Sequence, residues 1–216
     1  MILTVGATKG GEGKTTIALN IAIARAMAGR RVMLIDGDRQ RTAEMAVTNR
    51  ARMEIEPAIA VANFVDGATL KSQVELQRDT WDDIIIDVGG RDSTSLRAAL
   101  VVCDRLLVPF RPRSFSIWAL TDIAVLIDEA NSYRAQPLTA DAMLNFADPD
   151  NRGADNEASI EGLEDFTQFR PLGVSLGDRK AFANAAGTGM CVHELASQWA
   201  NPTAERELND LIERLF

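Results

Sequence analysis

The sequence has few of the residues that build metal clusters or disulfide frameworks. It contains 2 cysteines and 1 histidine in 216 residues. Cys103 and Cys191 are far apart and lack the spacing of metal ligands, so we interpret both as buried small hydrophobic residues. His193 has no nucleophile or metal partner nearby in the sequence, and we interpret it as a packing residue at a helix start.

Long apolar stretches are also missing. No run of about 18 uncharged apolar residues occurs, and the opening residues, MILTVGATKGG, do not resemble a secretory signal. We therefore expect a cytoplasmic protein without stable membrane insertion. The three tryptophans are far apart, so the sequence predicts no aromatic platform for single-stranded nucleic acid.

Negative charge is in excess, but it is concentrated in one segment. The formal net charge is -8, and residues 139–165 hold eight acids against one base. The remainder of the chain is nearly balanced, with 22 bases and 23 acids. A basic face that contacts phosphate groups therefore fits the composition.

Short, nearly continuous apolar runs alternate with helical patterns along the chain. Such runs are typical of strands buried on both faces, and the alternation predicts right-handed βαβ units. We expect one domain, 1–216, with a doubly wound, mostly parallel sheet flanked by helices. The predicted strands are 2–7, 31–36, 83–88, 104–110, 142–146 and 171–176. The predicted helices are 15–28, 40–53, 93–102, 118–131, 156–169, 179–187 and 203–216.

A glycine-rich loop, TKGGEGKTT at 8–16, follows the first predicted strand and opens the first helix. This is the context of a Walker A loop, in which backbone N–H groups and the helix N-terminus bind phosphate. The motif assigns Lys14 to the β- and γ-phosphates and the Thr15 hydroxyl to Mg²⁺. The expected cofactors are ATP and Mg²⁺.

The loop departs from the general pattern at two positions, with Thr8 in place of the first glycine and an additional lysine, Lys9. KGGEGKTT resembles the deviant Walker A of the ParA/MinD/nitrogenase iron protein group. The resemblance implies an ATP-dependent homodimer in which Lys9 crosses to the partner's nucleotide. The cluster-binding cysteine pattern of the nitrogenase iron protein is absent. The expected nucleotide-binding residues of the loop are Lys9, Gly10, Gly11, Glu12, Gly13, Lys14, Thr15 and Thr16.

Three aspartates follow predicted strands. LIDGDRQ at 34–40 resembles the family's DxDPQ motif, with Arg39 where proline is usual. The resemblance implies that Asp38 aligns the attacking water and that Asp36 supports the metal shell. Asp87 ends an apolar strand, as a Walker B ligand of Mg²⁺ does. Alternatively, strand-end aspartates simply cap turns. The following Gly89–Gly90 either senses the γ-phosphate or only turns the chain.

Two segments of the second half resemble the family's base-binding residues. VPFRPR at 108–113 resembles a proline-containing segment near the adenine, which implies contacts from Pro109, Arg111 and Pro112. Asn145, at a predicted strand end, matches an asparagine that reads the adenine edge in relatives.

The segment 173–195 resembles the closing segment of ParA proteins. The resemblance implies that Arg179, with the adjacent Lys180, contacts nonspecific duplex DNA. Lys71, Arg170 and Arg206 could extend this surface. The alternative is an ordinary solvated basic pair.

The resemblance is strongest to small ParA proteins that segregate plasmid or chromosomal DNA. It implies a protein that coats nucleoid DNA as an ATP dimer and is released when a small centromere-binding adaptor stimulates hydrolysis. A MinD-like or cargo-positioning ATPase on a membrane or protein scaffold is the main alternative. The C-terminal amphipathic segment is acidic, which disfavours membrane binding. A metabolic enzyme of the dethiobiotin synthetase type would need substrate-binding residues that the sequence does not show.

Overall fold

The computed structural model describes residues 1–90, 92–112, 114–148 and 154–216, with backbone alone for 114–119 and 154. In these residues seven parallel strands form one sheet in the order β3-β2-β4-β1-β5-β6-β7. The strands are β1 (Ile2–Val5), β2 (Val32–Asp36), β3 (Ala60–Asn63), β4 (Asp83–Asp87), β5 (Arg105–Phe110), β6 (Ala140–Ala147) and β7 (Phe169–Gly177).

Helices cover both faces of the sheet. α1, α2, α7 and α8 pack on one face, and α3, α4 and α5 pack on the other. This confirms the doubly wound parallel fold that the alternating pattern predicted. The helices are α1 (Lys14–Met27), α2 (Thr42–Arg52), α3 (Gly67–Gln77), α4 (Thr94–Val102), α5 (Ser114–Asn131), α6 (Ala154–Glu161), α7 (Lys180–Gly187) and α8 (Pro202–Leu215), with a 3₁₀ turn at Val192–Glu194.

The central strands are apolar because helices cover both of their faces. Every residue of β1, β2 and β4 is buried, and side chains alternate between the two hydrophobic layers. In β1, for example, Ile2 joins one layer while Leu3 and Val5 join the other. Burying each such side chain contributes about 1.5–3 kcal/mol, so this central sheet is a rigid base for the loops at its carboxyl edge.

Two parts of the predicted pattern were incomplete or wrong. β3 and α3 were not predicted, because the half-buried edge strand reads AVAN and α3 buries only Gly67, Leu70 and Val74. The predicted helix 156–169 is wrong beyond Glu161, where α6 ends. The chain then turns so that Phe166 and Phe169 meet edge to face, 5.6 Å apart, and Phe169 begins β7.

The C-terminal helix is packed into the domain. The buried face of α8 presents Leu208, Leu211 and Leu215 to the layer that also contains residues of α1 and β7. Among the described residues, none of the helices combines the length and the hydrophobicity of a transmembrane span.

The cysteines are free and buried, as predicted. Burial raises the pKa of the Cys103 thiol to about 11 and that of Cys191 to about 12. His193 Nδ1 lies 3.3 Å from the Cys191 sulfur, at the 3₁₀ turn that follows α7. We therefore assign these residues a structural role rather than a catalytic one.

Candidate nucleotide site

The phosphate loop, residues 8–16, joins β1 to α1 at the carboxyl edge of the sheet. Gly13 has φ +82°, and a β-carbon at this position would lie 2.2 Å from Asn145 Nδ2, so both conformation and space require glycine. α1 begins at the next residue, Lys14. Its unpaired N–H groups and positive dipole end therefore point at the loop, as anion binding requires.

Lys14 is held at the base of the loop. Its ammonium group donates a 2.8 Å hydrogen bond to the carbonyl oxygen of Lys9. Burial lowers the pKa of Lys14, while the nearby Asp87, Glu12 and Asp38 carboxylates raise it. The lysine is thus partly desolvated, and a bound phosphate would add to the negative charge that stabilises its ammonium form.

Asp87 and Thr15 are paired beneath the loop. The Thr15 hydroxyl donates a 2.6 Å hydrogen bond to Asp87 Oδ2, whereas Asp87 Oδ1 is buried with no hydrogen-bond partner among the described residues. Burial, the largest effect, raises the pKa of Asp87 to about 7. A hydroxyl beside an unsatisfied carboxylate oxygen fits Mg²⁺, which takes oxygen ligands and completes its shell with phosphates and water.

Asp36 and Asp38 have different surroundings. The buried Asp36 carboxylate accepts hydrogen bonds from the backbone N–H groups of Asp38 (2.9 Å) and Glu44 (3.0 Å). Burial raises its pKa. Asp36 therefore fixes the loop between β2 and α2, and its place in the metal shell stays a prediction. Asp38 is half-buried, and its Oδ1 accepts from the Gln40 N–H at 3.0 Å.

An open cavity of about 950 Å³ brings the loop and the acidic motif together. Its walls include Lys14, Thr15, Asp38 and the Gly89–Gly90 turn. A β-carbon on residue 90 would lie 2.8 Å from the Gly10 backbone, and one on residue 89 would lie 2.9 Å from Asp38 Oδ2. The glycine pair therefore packs between the phosphate loop and Asp38.

Residues 3–192 match the family described as the CobQ/CobB/MinD/ParA nucleotide binding domain. The chain belongs to this family. It is a ParA/MinD-type ATPase with a nucleotide-binding P-loop fold. The match includes the phosphate loop, both acidic motifs and residues 173–192 of the segment 173–195.

Individual relatives of this ParA/MinD ATPase differ in the roles that their names state. The carboxysome distribution protein A of Halothiobacillus neapolitanus is 27% identical over 99% of this chain and 95% of its own. The structure of Cyanothece McdA with ATP has a TM-score of 0.77 at 16% identity, covering 99% and 95% of the two chains. A plasmid partition protein of Borrelia burgdorferi bound to AMPPNP has a TM-score of 0.72 at 15% identity, covering 99% and 98%. The structural likenesses show the fold.

Two polar residues that support the site of this ParA/MinD ATPase were missed from the sequence. Asn63 donates to the carbonyl oxygens of Asp36 (2.9 Å) and Asp38 (3.1 Å) from the end of β3. The Ser95 hydroxyl donates to the Gly37 carbonyl oxygen at 2.8 Å from α4. An Asn at a strand end was the available signal, but β3 itself was not predicted.

The residues expected near the adenine of this family lie on another side of the phosphate loop. Asn145 donates to the Glu12 carbonyl oxygen at 2.7 Å, and Arg111 donates to the Gly11 carbonyl oxygen at 2.9 Å while stacking over Phe146. They therefore brace the loop from outside. None of Pro109, Arg111, Pro112 and Asn145 lines the 950 Å³ cavity, and their adenine contacts stay predictions. Arg113 lies outside the described residues.

The basic residues expected at the family's DNA surface are only partly brought together. Arg179 makes hydrogen bonds of 2.7 and 3.0 Å to Glu207, and its side chain is 18% exposed. Lys180, at the start of α7, and Arg206, on α8, are exposed nearby in the fold. Lys71 lies on α3, on the other face of the sheet, and Arg170 pairs with Asp141.

Proposed function

We propose that this ATPase is a dimerising switch that positions a cargo on DNA. In this proposal Mg·ATP selects the dimer, the dimer binds nonspecific duplex DNA, and a small adaptor protein stimulates hydrolysis and release. The observation that carries it is the additional lysine, Lys9, in the phosphate loop. Residues of this loop line the same cavity as Asp38 and the Gly89–Gly90 turn.

The chemistry follows from positioning and charge. Lys14 and the N–H groups of the loop bind the β- and γ-phosphates, Thr15 and Asp87 would hold Mg²⁺, and Asp38 orients water for in-line attack. Mg²⁺, when bound, neutralises charge that develops on the phosphate oxygens. Gly89–Gly90, packed against both Gly10 and Asp38, changes position with the γ-phosphate, so nucleotide state is communicated to the dimer surface.

DNA segregation through a centromere-binding adaptor is the cargo arrangement that we favour, and it would make the protein nucleoid-associated. A protein cargo is the second candidate, and the carboxysome distribution relative over 99% of the chain favours it. Both candidates use the same DNA-bound dimer. A membrane scaffold is less well supported, because the apolar face of α8 is already buried.

A mobility-shift experiment tests whether the ATP dimer binds DNA. Wild-type protein should shift random duplex DNA with ATP and Mg²⁺ and fail to do so with ADP. Lys180→Glu should weaken binding and reduce the salt slope by about 0.9 for each DNA phosphate that the protein no longer neutralises. Glu207→Gln should strengthen binding, since it releases Arg179 from its carboxylate partner.

Lys71→Glu is the matched control, because Lys71 is an exposed lysine on the other face of the sheet and pairs only weakly with Glu75, at 3.9 Å. Its DNA affinity should equal that of wild type. An ATP dimer that binds no DNA at low salt would contradict the proposed DNA binding and favour a protein scaffold. Light scattering on the same samples reports the dimer separately.

A further inference from the structure

The glutamate inside the phosphate loop points into the protein rather than into solvent. Glu12 is 2% exposed, and neither carboxylate oxygen has a hydrogen-bond partner among the described residues. The pocket next to it is lined mainly by apolar side chains from β5 and α5, among them Val108, Phe110 and Ile123. A buried carboxylate in such surroundings is strongly unfavourable unless an opposite charge is close.

Lys9 supplies that charge from the same loop. Its ammonium nitrogen lies 3.2 Å from Glu12 Oε1, and the two side chains differ in exposure, at 38% for Lys9 and 3% for Glu12. The lysine thus reaches inward from the loop surface to an acid that is shielded from water. The second loop lysine, Lys14, is directed to the Lys9 carbonyl oxygen instead. Lys9 is therefore the direct partner of Glu12.

We propose that Glu12 is a positioning residue that holds Lys9 on its own subunit in the nucleotide-free monomer. This rests on the proposed function, in which Lys9 crosses to the nucleotide of the partner. Crossing requires Lys9 to leave Glu12, which then remains buried without its direct ion-pair partner. Phosphate binding must offset that loss, so Glu12 raises the ATP concentration at which the dimer forms.

The ion pair itself is tested in the nucleotide-free monomer by a double-mutant cycle in urea. Lys9→Met should increase the unfolding equilibrium constant by at least about tenfold, because it strands a buried carboxylate. Adding Glu12→Gln, which removes the charge and keeps the shape, should reverse most of that increase. The exposed pair Lys71–Glu75 serves as the control cycle, with coupling below about fivefold.

A cycle in which Lys9→Met and Glu12→Gln are additive overturns the proposal, whether or not the protein dimerises. This arm depends only on the monomer. It therefore separates failure of the Glu12 proposal from failure of the proposed ATP dimer.

The second arm is the ATP concentration that gives half-maximal dimer by light scattering. Glu12→Gln should lower it about tenfold, the factor that 1.4 kcal/mol represents. A substitution that merely damaged the loop would raise the concentration instead. The same measurement on Glu12→Gln with Lys9→Ala should show monomer at every ATP concentration, because Lys9 is no longer present to cross to the partner. The Glu12→Gln background ensures that the loss of Lys9 does not also strand a buried carboxylate.

These outcomes distinguish the role of Glu12 from the cross-subunit role of Lys9. A dimer at unchanged ATP concentration in Glu12→Gln, lost again with Lys9→Ala, overturns the role of Glu12 and leaves the cross-subunit role of Lys9 intact. Persistent monomer in both wild type and Glu12→Gln overturns the crossing and with it the regulatory part of the proposal.

Discussion

Arg50 and Glu194 are joined by two hydrogen bonds, of 2.8 and 2.7 Å, and the arginine side chain is 1% exposed. Arg50 also donates to the carbonyl oxygens of Pro57 and Gly189, each at 3.1 Å. The arginine lies on α2, whose first turn is held by Asp36. The pair therefore links the helix that follows the acidic motif to the segment that follows α7.

Removing one partner of this pair should be strongly destabilising. Arg50→Met leaves Glu194 without its main counter-charge, and we expect a loss of about 3–5 kcal/mol in the free energy of unfolding. Urea denaturation measures it. Arg31→Met is the control, because its pair with Asp82 is exposed to solvent and should contribute much less. Equal losses for the two variants would contradict the assigned importance of burial.

Gly90→Ala should impair ATP hydrolysis more than folding. A methyl group at this position would lie 2.8 Å from the Gly10 backbone, so the turn and the phosphate loop must separate. We expect kcat to fall by at least about tenfold, the effect of roughly 1.4 kcal/mol on the barrier. Gly187→Ala, which has open space around it, should retain activity. Steady-state phosphate release compares them, and equal rates would refute the packing argument.

Asp87 predicts a pH dependence of stability in the absence of nucleotide and metal. Burial raises its pKa to about 7, against about 3.9 in an unfolded chain. The folded protein keeps this proton to higher pH, so stability falls as pH rises from about 4 to 7, by up to about 4 kcal/mol. Asp87→Asn should lack this component. Thermal unfolding of wild type and Asp87→Asn between pH 5 and 8 in EDTA tests this expectation. Parallel plots of Tm against pH for the two proteins would contradict the assignment.

Asp38→Ala should bind ATP and dimerise, yet hydrolyse ATP far more slowly. The carboxylate lines the cavity beside the Gly89–Gly90 turn and is not needed to shape the phosphate loop. Loss of water alignment should lower kcat by about 10²-fold or more. The dimer should persist longer, as light scattering after removal of free ATP would show. Unchanged phosphate release would refute this role.

Lys14→Ala should abolish ATP binding while the fold is retained. The lysine is buried at the base of the loop, where its ammonium group is hydrogen-bonded to the Lys9 carbonyl oxygen. Calorimetric titration measures binding, and circular dichroism monitors folding. Lys71→Ala, an exposed lysine on α3, should bind as wild type does. Retained affinity in Lys14→Ala would move the nucleotide away from this loop.

The fold was largely predictable because the buried strands are marked by continuous apolar runs. β1, β2 and β4 match their runs closely, since both faces of each are covered by helices. β3 was not predictable in this way, because an edge strand reading AVAN is half-buried and contains only one β-branched residue. The end of α6 was also mislocated, since aromatic packing of Phe166 and Phe169 replaced the expected helical turn.

The candidate site shows a similar division. The phosphate loop and the strand-end aspartates are local motifs, so their convergence at one sheet edge followed from parallel topology. The partners of Glu12 and Asn145 were not visible in the sequence. The Glu12 side chain lines a small pocket together with residues of β5 and α5, and Asn145 reaches the Glu12 carbonyl oxygen only after β6 is in place.

The central position of β1 has a consequence for the order in which the nascent chain acquires structure. Its neighbours in the sheet are β4 and β5, and Ile2 is in register with Ile84. At a synthesis rate of about 5–20 residues per second, β4 is completed roughly 4–16 s after β1. The phosphate loop cannot be braced between its final neighbours before then. A stalled chain ending before residue 83 should therefore fail to bind ATP, however complete its glycine-rich motif.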